Sequence, residues 1–422
     1  MTHHPLKDPL TEFLTTILPD SLAMLRQMVE INSFTANPAG VNALGQLTAE
    51  AFTELGFTAE TVQSVNPNYG KHLILTRSGR LGENGSALKI GMVSHLDTVF
   101  PAAEEQANDF RWRPEGGPTG ERIYGPGTVD IKGGTVLMHM VLSALRQFAP
   151  DAFDEITWVL LFDASEETDG ADFGQLCLER LAPEALACLI FEGGYFDENN
   201  RFKIVTVRKG MAIYEITTEG KASHAGTAHP QGANAIVQLS DVIQALKNFT
   251  NYEQALTFNI GTIAGGSVVN RVPHQAGLSM EMRCFDPAIY AEAMRRTVAL
   301  NELSTVSTAD GSYGCRVQVE VTRQTAPWPQ NEATDRLYEI WRETAVSLGY
   351  QAEPEARGGL SDGNYIWAQI PTLDGLGPSG GNAHCSERSP DGSKDQEYVL
   401  PHSFVPKALL NTLAILKLVR GK

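Results

Sequence analysis

The chain has 422 residues, of which 42% are hydrophobic and 20% charged, with 50 acidic against 33 basic side chains for a formal charge of −17. Such a composition is that of an ordinary globular protein too long for a single core, so two domains are expected. The acidic excess argues against nucleic acid and anionic membrane as partners, and no apolar run approaches the roughly 18 residues of a membrane span.

In chain order, residues 41–55 read as an amphipathic helix, with Val41, Leu44, Leu47, Ala51 and Leu55 spaced by three or four and Gly56 as its stop. Residues 87–93 read as a buried strand ending at His95, residues 133–148 as a largely apolar helix, and residues 156–162 and 187–191 as two more buried strands. Strands alternating with helices predict an α/β fold, a mainly parallel sheet with helices on both faces. In such sheets ligands bind beyond the carboxyl ends of the strands. From about residue 210 the texture changes. Strands are expected over 211–218, 256–260, 276–283 and 315–321, with helices over 232–249 and 288–300. That order matches a ferredoxin-like α+β unit inserted into the larger domain. The α/β pattern then resumes with helices over 333–348 and 404–419. The expected domains are 1–209 and 323–422 for the larger and 210–322 for the inserted one, with hinges near 207–210 and 322–325. Residues 116–127 and 388–397 read as loops.

Five segments place metal-loving or proton-carrying side chains at the ends of apolar runs: 94–98 with His95 and Asp97, 127–130 with Asp130, 165–167 with Glu166 and Glu167, 191–193 with Glu192, and 382–384 with His384. Two imidazoles with several carboxylates suit zinc, and the set is acidic enough to hold two ions. His95 and Asp97, two residues apart in an extended segment, lie on one face, so that Asp97 can accept the second ring N–H of His95. An Asp before a Gly-rich helix start is usually a cap, but Asp130 as a carboxylate bridging two ions accounts for the whole set. Glu166 and Glu167 point opposite ways, one free to bind metal while the other accepts a proton from water. Glu192 ends an apolar strand, a costly place for an unpaired carboxylate, and precedes Gly193-Gly194, where backbone can approach a metal closely. His139, inside the apolar helix, reads as a packed core histidine, and His72, His274 and His402 have no comparable context. Cys385 beside His384 could suggest a nucleophile, but a metal-ligand loop accounts for His384 without it. The five cysteines are scattered and lack CxxC spacing, and residues 1–5 have neither a basic nor an apolar leader region, so a reducing cytoplasm is expected.

Together with Gly-Lys-Ala-Ser-His-Ala-Gly at 220–226 and Asn-Arg-Val-Pro at 270–273, these residues resemble the di-zinc exopeptidase and deacylase family of bacterial glutamate carboxypeptidase, acetylornithine deacetylase, succinyl-diaminopimelate desuccinylase and aminoacylase. The resemblance runs from about Leu22 to Leu418 and is nearest to glutamate carboxypeptidase. It implies two zinc ions per subunit, with cobalt or manganese as possible substitutes. His95 and Glu192 would hold one ion, Glu167 and His384 the other, and Asp130 would bridge them. It further implies Asp97 as the orienter of His95, Glu166 as general base, and the inserted domain as a lid through which two chains form a homodimer. His224 would then reach the partner's site to steady the oxyanion, and Asn270 and Arg283 would contact the polar end of the substrate. Arg283 and Arg357 are candidates for a substrate carboxylate, which a guanidinium fork matches. The implied reaction is hydrolysis of an amide next to a free carboxylate, in a small peptide or an N-acyl amino acid. A non-catalytic scaffold of the same fold would lack the base or a ligand, and this sequence retains all of them. A phosphoesterase would want a phosphate cradle, and none is visible. The sequence departs from the family at Gly193, where proline is common, and at Gln324-Thr325-Ala326-Pro327, where glutamate carboxypeptidase has a Gly-Arg-Pro step.

Overall fold

The computed structural model describes residues 5–80, 88–116 and 121–421. Ala87, expected to open a strand, part of the 116–127 loop, and His3 and His4 lie outside the described residues. The chain divides into two compact units: Met1–Thr206 with Gln330–Glu355 and Ser361–Lys422, and Val207–Pro329 with Ala356–Leu360.

The first unit is built on a six-stranded sheet in the order Thr58–Gln63, Lys71–Arg77, Ile156–Asp163, Leu88–His95, Ala185–Ile190, Thr372–Leu373. The last four of these run parallel and the first two antiparallel. The parallel strands read as unbroken apolar runs because both their faces are covered. Ile90, Met92, Leu160, Phe162 and Leu189 belong to the core shared with the helices Lys7–Val29, Lys132–Phe148 and Phe404–Arg420. Their neighbours Val93, Leu161, Cys188 and Ile190 turn to the other face, against Phe173, Leu176 and Leu181 of the Ala171–Leu181 helix. Side chains of this size contribute roughly 1.5–3 kcal/mol each when fully buried, so the strand ends that carry the polar groups are anchored from both sides. Among the described residues no helix is long and apolar enough to cross a membrane.

The second unit holds a four-stranded antiparallel sheet in the order Thr257–Gly265, Gln275–Cys284, Gly210–Glu219, Arg316–Thr325, which is the ferredoxin-like arrangement. Its helices, Ala235–Lys247 and Pro287–Val298, start on side-chain caps. Asn234 accepts from the amides of Ile236 and Val237, and Asp286 from those of Ala288 and Ile289. Both helices pack on one face of the sheet, where Tyr214, Ile216, Leu278, Met280 and Met282 are buried. Residues 322–325, expected as a hinge, end the Arg316–Thr325 strand just past a register shift: Arg323, Gln324 and Thr325 pair with Ile213, Ala212 and Met211, Val321 with Tyr214, and the unit continues to Pro329.

Candidate metal centre

The Leu88–His95 strand delivers His95 to the end of the sheet, where its side chain is 1% exposed. Its Nδ1 lies 3.0 Å from the backbone carbonyl of Asp97 and 3.4 Å from that residue's Oδ1, so the nearer orienting acceptor is the carbonyl rather than the carboxylate expected from spacing. The Asp97 carboxylate has further partners. It accepts from Thr35 Oγ1 (2.6 Å) and from the backbone amides of Glu166 (3.1 Å) and Glu167 (3.2 Å). Asp97 thereby joins the His95 strand end to the Glu166–Glu167 turn.

The free Nε2 of His95 faces Asp130 Oδ1 at 3.0 Å and Glu192 Oε1 at 3.7 Å. The other Asp130 oxygen, Oδ2, lies 3.3 Å from His384 Nε2, and that nitrogen lies 3.0 Å from Glu167 Oε2. One carboxylate therefore spans two imidazoles, each flanked by a further carboxylate. Ligand atoms of His95, Asp130 and Glu167 all fall within 4.8 Å of one another. The two histidines differ in surroundings, for His384 is 53% exposed and opens this side of the cluster to solvent. His384 and Asn382 have left-handed backbone, φ 65° and 58°, so the loop must be held by its surroundings to keep that shape.

The electrostatics follow from crowding. Burial would depress the His95 imidazole, but Asp130, Asp97 and Glu192 push it well above its usual range. Hydrogen bonds to Asp130 and Glu167 raise His384 to about 11. Burial would raise Asp130, yet His384 and His95 hold it well below the usual carboxylate range. Glu166 is pushed well up, by burial first and then by the charges of Glu167, Glu192 and Asp130, with His95 opposing. Glu167 is raised by burial and Asp130. These carboxylates outnumber the imidazoles that balance them, and both kinds of group converge on space where a cation would fit. The donor set thus suits divalent ions of the zinc type.

Local packing explains why these loops sit here. A Cβ on Gly134 would come within 2.0 Å of the Phe191 carbonyl oxygen, so the start of the Lys132–Phe148 helix approaches the Glu192 strand end only because that residue is glycine. Gly194 makes room for the Lys407 ammonium and the carbonyls of Gly375 and Gly377, and Gly193 for Val129.

The other sequence-derived candidates lie in the second unit. Backbone pairing brings the His224 and Asn270 segments together: Ala225 N donates to the Asn270 carbonyl at 3.0 Å, and Val272 N to that of Ser223 at 2.9 Å. His224 is exposed. Its Nδ1 accepts from the amides of Gly226 and Thr227, both at 3.1 Å, which leaves the proton of a neutral ring on Nε2. Arg283 is already engaged, with Nε 3.2 Å from both Glu281 oxygens and Nη1 donating to the Gly358 carbonyl at 3.0 Å beside Arg357. A substrate carboxylate at Arg283 would have to share it with Glu281.

Sequence reasoning missed several residues. His72 is buried between Asp163 and Asp172, 3.1 Å from each. Glu397, fully buried, accepts from the amides of Val129 and Asp130, and burial together with the Asp130 charge pushes it up to about 8. Its signal was a carboxylate one residue before the short Tyr398–Val399 strand, inside what read as the end of a loop.

A mainly parallel α/β sheet with a carboxylate–imidazole cluster beyond its strand ends is an arrangement suited to metal-dependent hydrolysis. The model of peptidase family M20/M25/M40 matches residues 91–391, and the chain belongs to that family. It is a hydrolase acting on amide bonds. It is 27% identical to carboxypeptidase G2 of Pseudomonas sp. (strain RS-16) over 373 residues, covering 87% of this chain and 83% of that protein. It is also 28% identical to acetylornithine deacetylase of Erwinia tasmaniensis over 288 residues, covering 64% and 69%. Among solved structures the fold is shared with an M20 family metallo-carboxypeptidase from Sulfolobus solfataricus, with a TM-score of 0.67 at 15% identity, covering 96% of this chain and 100% of that one.

Proposed function

We propose that the chain is a zinc-dependent exopeptidase that hydrolyses an amide next to a free carboxylate, in the manner of a glutamate carboxypeptidase. The observation that carries this reading is Asp130, whose two oxygens face two different imidazoles at 3.0 and 3.3 Å. His95 and Glu192 would hold one ion, Glu167 and His384 the second, with Asp130 between them. Ions so held act as Lewis acids toward the scissile carbonyl and make water more acidic. Glu166, raised by burial, is suited to take a proton from the attacking water and pass it to the leaving amine nitrogen. Asp97 holds the Glu166 and Glu167 amides and the His95 ring in one arrangement. The Nε2–H of His224 is a donor suited to the developing oxyanion, worth roughly 2.7–4 kcal/mol in comparable sites. Asn270, Arg283 and Arg357 are the candidates for the polar end of the substrate.

An N-acyl-amino-acid deacylase would use the same groups, and the likeness to acetylornithine deacetylase supports it as the alternative. A homodimer is supported by the Thr257–Gly265 edge strand, where Ile263 is exposed alongside Ile236, Val237 and Val269, an apolar edge of the kind that a second copy covers. Five free cysteines favour a reducing cytoplasm. The test is a hydrolysis screen of zinc-loaded protein against dipeptides, N-acyl amino acids and benzoyl- or pteroyl-glutamate. Glu166→Ala is expected to lower turnover at least ~10²-fold with metal content kept, and Glu167→Ala to lose metal. Equal metal loss and equal residual activity in both variants would refute this division of roles.

A further inference from the structure

We propose that Glu397 is a positioning residue that clips the Asp130 and His384 loops into one unit, so that both ions depend on it although it ligates neither. The inference rests on the reading of Asp130 as the carboxylate shared by two ions. A single oxygen, Oε1, accepts from the amides of Val129 (3.0 Å) and Asp130 (3.2 Å), which fixes the peptide that carries the shared carboxylate. The backbone of the same residue serves the other ligand loop. Glu397 N donates to the Cys385 carbonyl at 2.7 Å, one residue after His384, and the Glu397 carbonyl accepts from Gly125 N at 3.3 Å. The flanking residues continue the clip: Gln396 Nε2 donates to the Ser386 carbonyl at 2.8 Å, and Tyr398 pairs with both Tyr124 and Gly381.

Two features argue that this is more than a packing contact. The side chain is fully buried, and its second oxygen, Oε2, has no hydrogen-bond partner among the described residues. An unsatisfied buried polar atom is destabilising, a cost that a leucine of similar length would avoid. Second, His384 and Asn382 have left-handed backbone, a strained conformation that persists only where neighbours enforce it. The Glu397 segment supplies such neighbours.

The experiment measures zinc affinity by competition with a chromophoric chelator, together with the visible spectrum of the cobalt-substituted protein, for Glu397→Ala, Glu397→Leu and Glu397→Gln. Ala and Leu remove the acceptor, and Leu fills the space. Both are expected to bind both ions 10–100-fold more weakly, as for partners that orient ligands elsewhere, with altered cobalt bands. Gln keeps an acceptor oxygen and is expected to recover most of the affinity. Wild-type affinity in folded Ala or Leu variants, no recovery in Gln, or failure of both Ala and Leu to fold would each overturn the assignment. Asp130→Asn separates the two levels. If it keeps both ions, the shared-carboxylate reading fails; if it loses both while the Glu397 variants keep theirs, only the clip fails.

Discussion

His72 reads in the sequence as a histidine without context, because its partners lie 91 and 100 residues further on. In the folded chain its Nδ1 faces Asp163 and its Nε2 faces Asp172, both at 3.1 Å. Ala164 N also lies 3.2 Å from Nδ1, but it cannot donate to a protonated nitrogen, and the two carboxylates favour the proton. Burial alone would lower the imidazole; the carboxylates outweigh it and raise it to about 9. Asp163, fully buried, is pushed up by burial despite His72, so the positive ring is balanced mainly by Asp172, held at about 2. A raised histidine contributes stability that is fully present below its unfolded value near 6.5 and is lost as pH rises through about 9. The unfolding free energy is therefore expected to fall by a few kcal/mol, of order 3, between those pH values. Denaturant melts across that range should show the decline in the wild type and a flatter profile in His72→Asn. On the acid side the Asp172 contribution is present above about pH 4 and fades as pH falls toward 2. A ligand histidine carries its own pH signature. With His384 raised to about 11, an ion must displace its proton, so metal affinity should weaken as pH falls and binding should release protons. Calorimetric titrations of zinc in buffers of different ionisation enthalpy would count them, and no proton release would contradict the assignment of His384 as a ligand.

At the scale of elements, the Lys132–Phe148 helix must start tight against the strand end that carries Glu192, and Gly134 allows it. Gly134→Ala sets two effects against each other. Helix propensity would favour alanine by about 1 kcal/mol. The added Cβ would meet a backbone oxygen at 2.0 Å, and overpacking of that kind costs about 1–3 kcal/mol. A net loss of stability is expected in thermal melts, with weaker metal binding as the Asp130 loop shifts from Glu192; a stabilised variant with unchanged metal affinity would contradict this. The same contrast explains what was legible beforehand. Strands such as Ile156–Asp163 announce themselves because both faces are buried and the run is apolar, and a carboxylate or histidine at the end of such a run stands out. Thr58–Gln63 is a mostly exposed, polar edge strand and gave no such signal. Arg122–Tyr124, Gly380–Gly381 and Tyr398–Val399 have two or three residues each, too few for any period to show. Glu397 could not be connected to Asp130, 267 residues earlier, because only the fold brings them together.

At the scale of the whole molecule, the chain separates its proposed working parts between two units. The carboxylate–imidazole cluster belongs to the first, and the exposed His224, whose Nδ1 is taken by the amides of Gly226 and Thr227, to the second. The edge strand Thr257–Gly265 and the exposed Val268 and Val269 belong to that second unit as well, a patch that an isologous contact with a second copy would cover. In the proposed twofold dimer each chain lends its His224 to the site of the other. Light scattering should then report a dimer, and replacing Ile263 with aspartate should shift it toward monomer. The sharper test is complementation. His224→Ala and Glu166→Ala proteins are each expected to be nearly inactive, since one lacks the oxyanion donor and the other the base. Mixed and allowed to exchange subunits, they form heterodimers in which one site has both an intact Glu166 and an intact His224 from the other chain. With equal amounts and random exchange half of the dimers are mixed, each with one restored site of two, so activity should recover to about a quarter of wild type. No recovery despite verified exchange would mean that each chain supplies its own histidine.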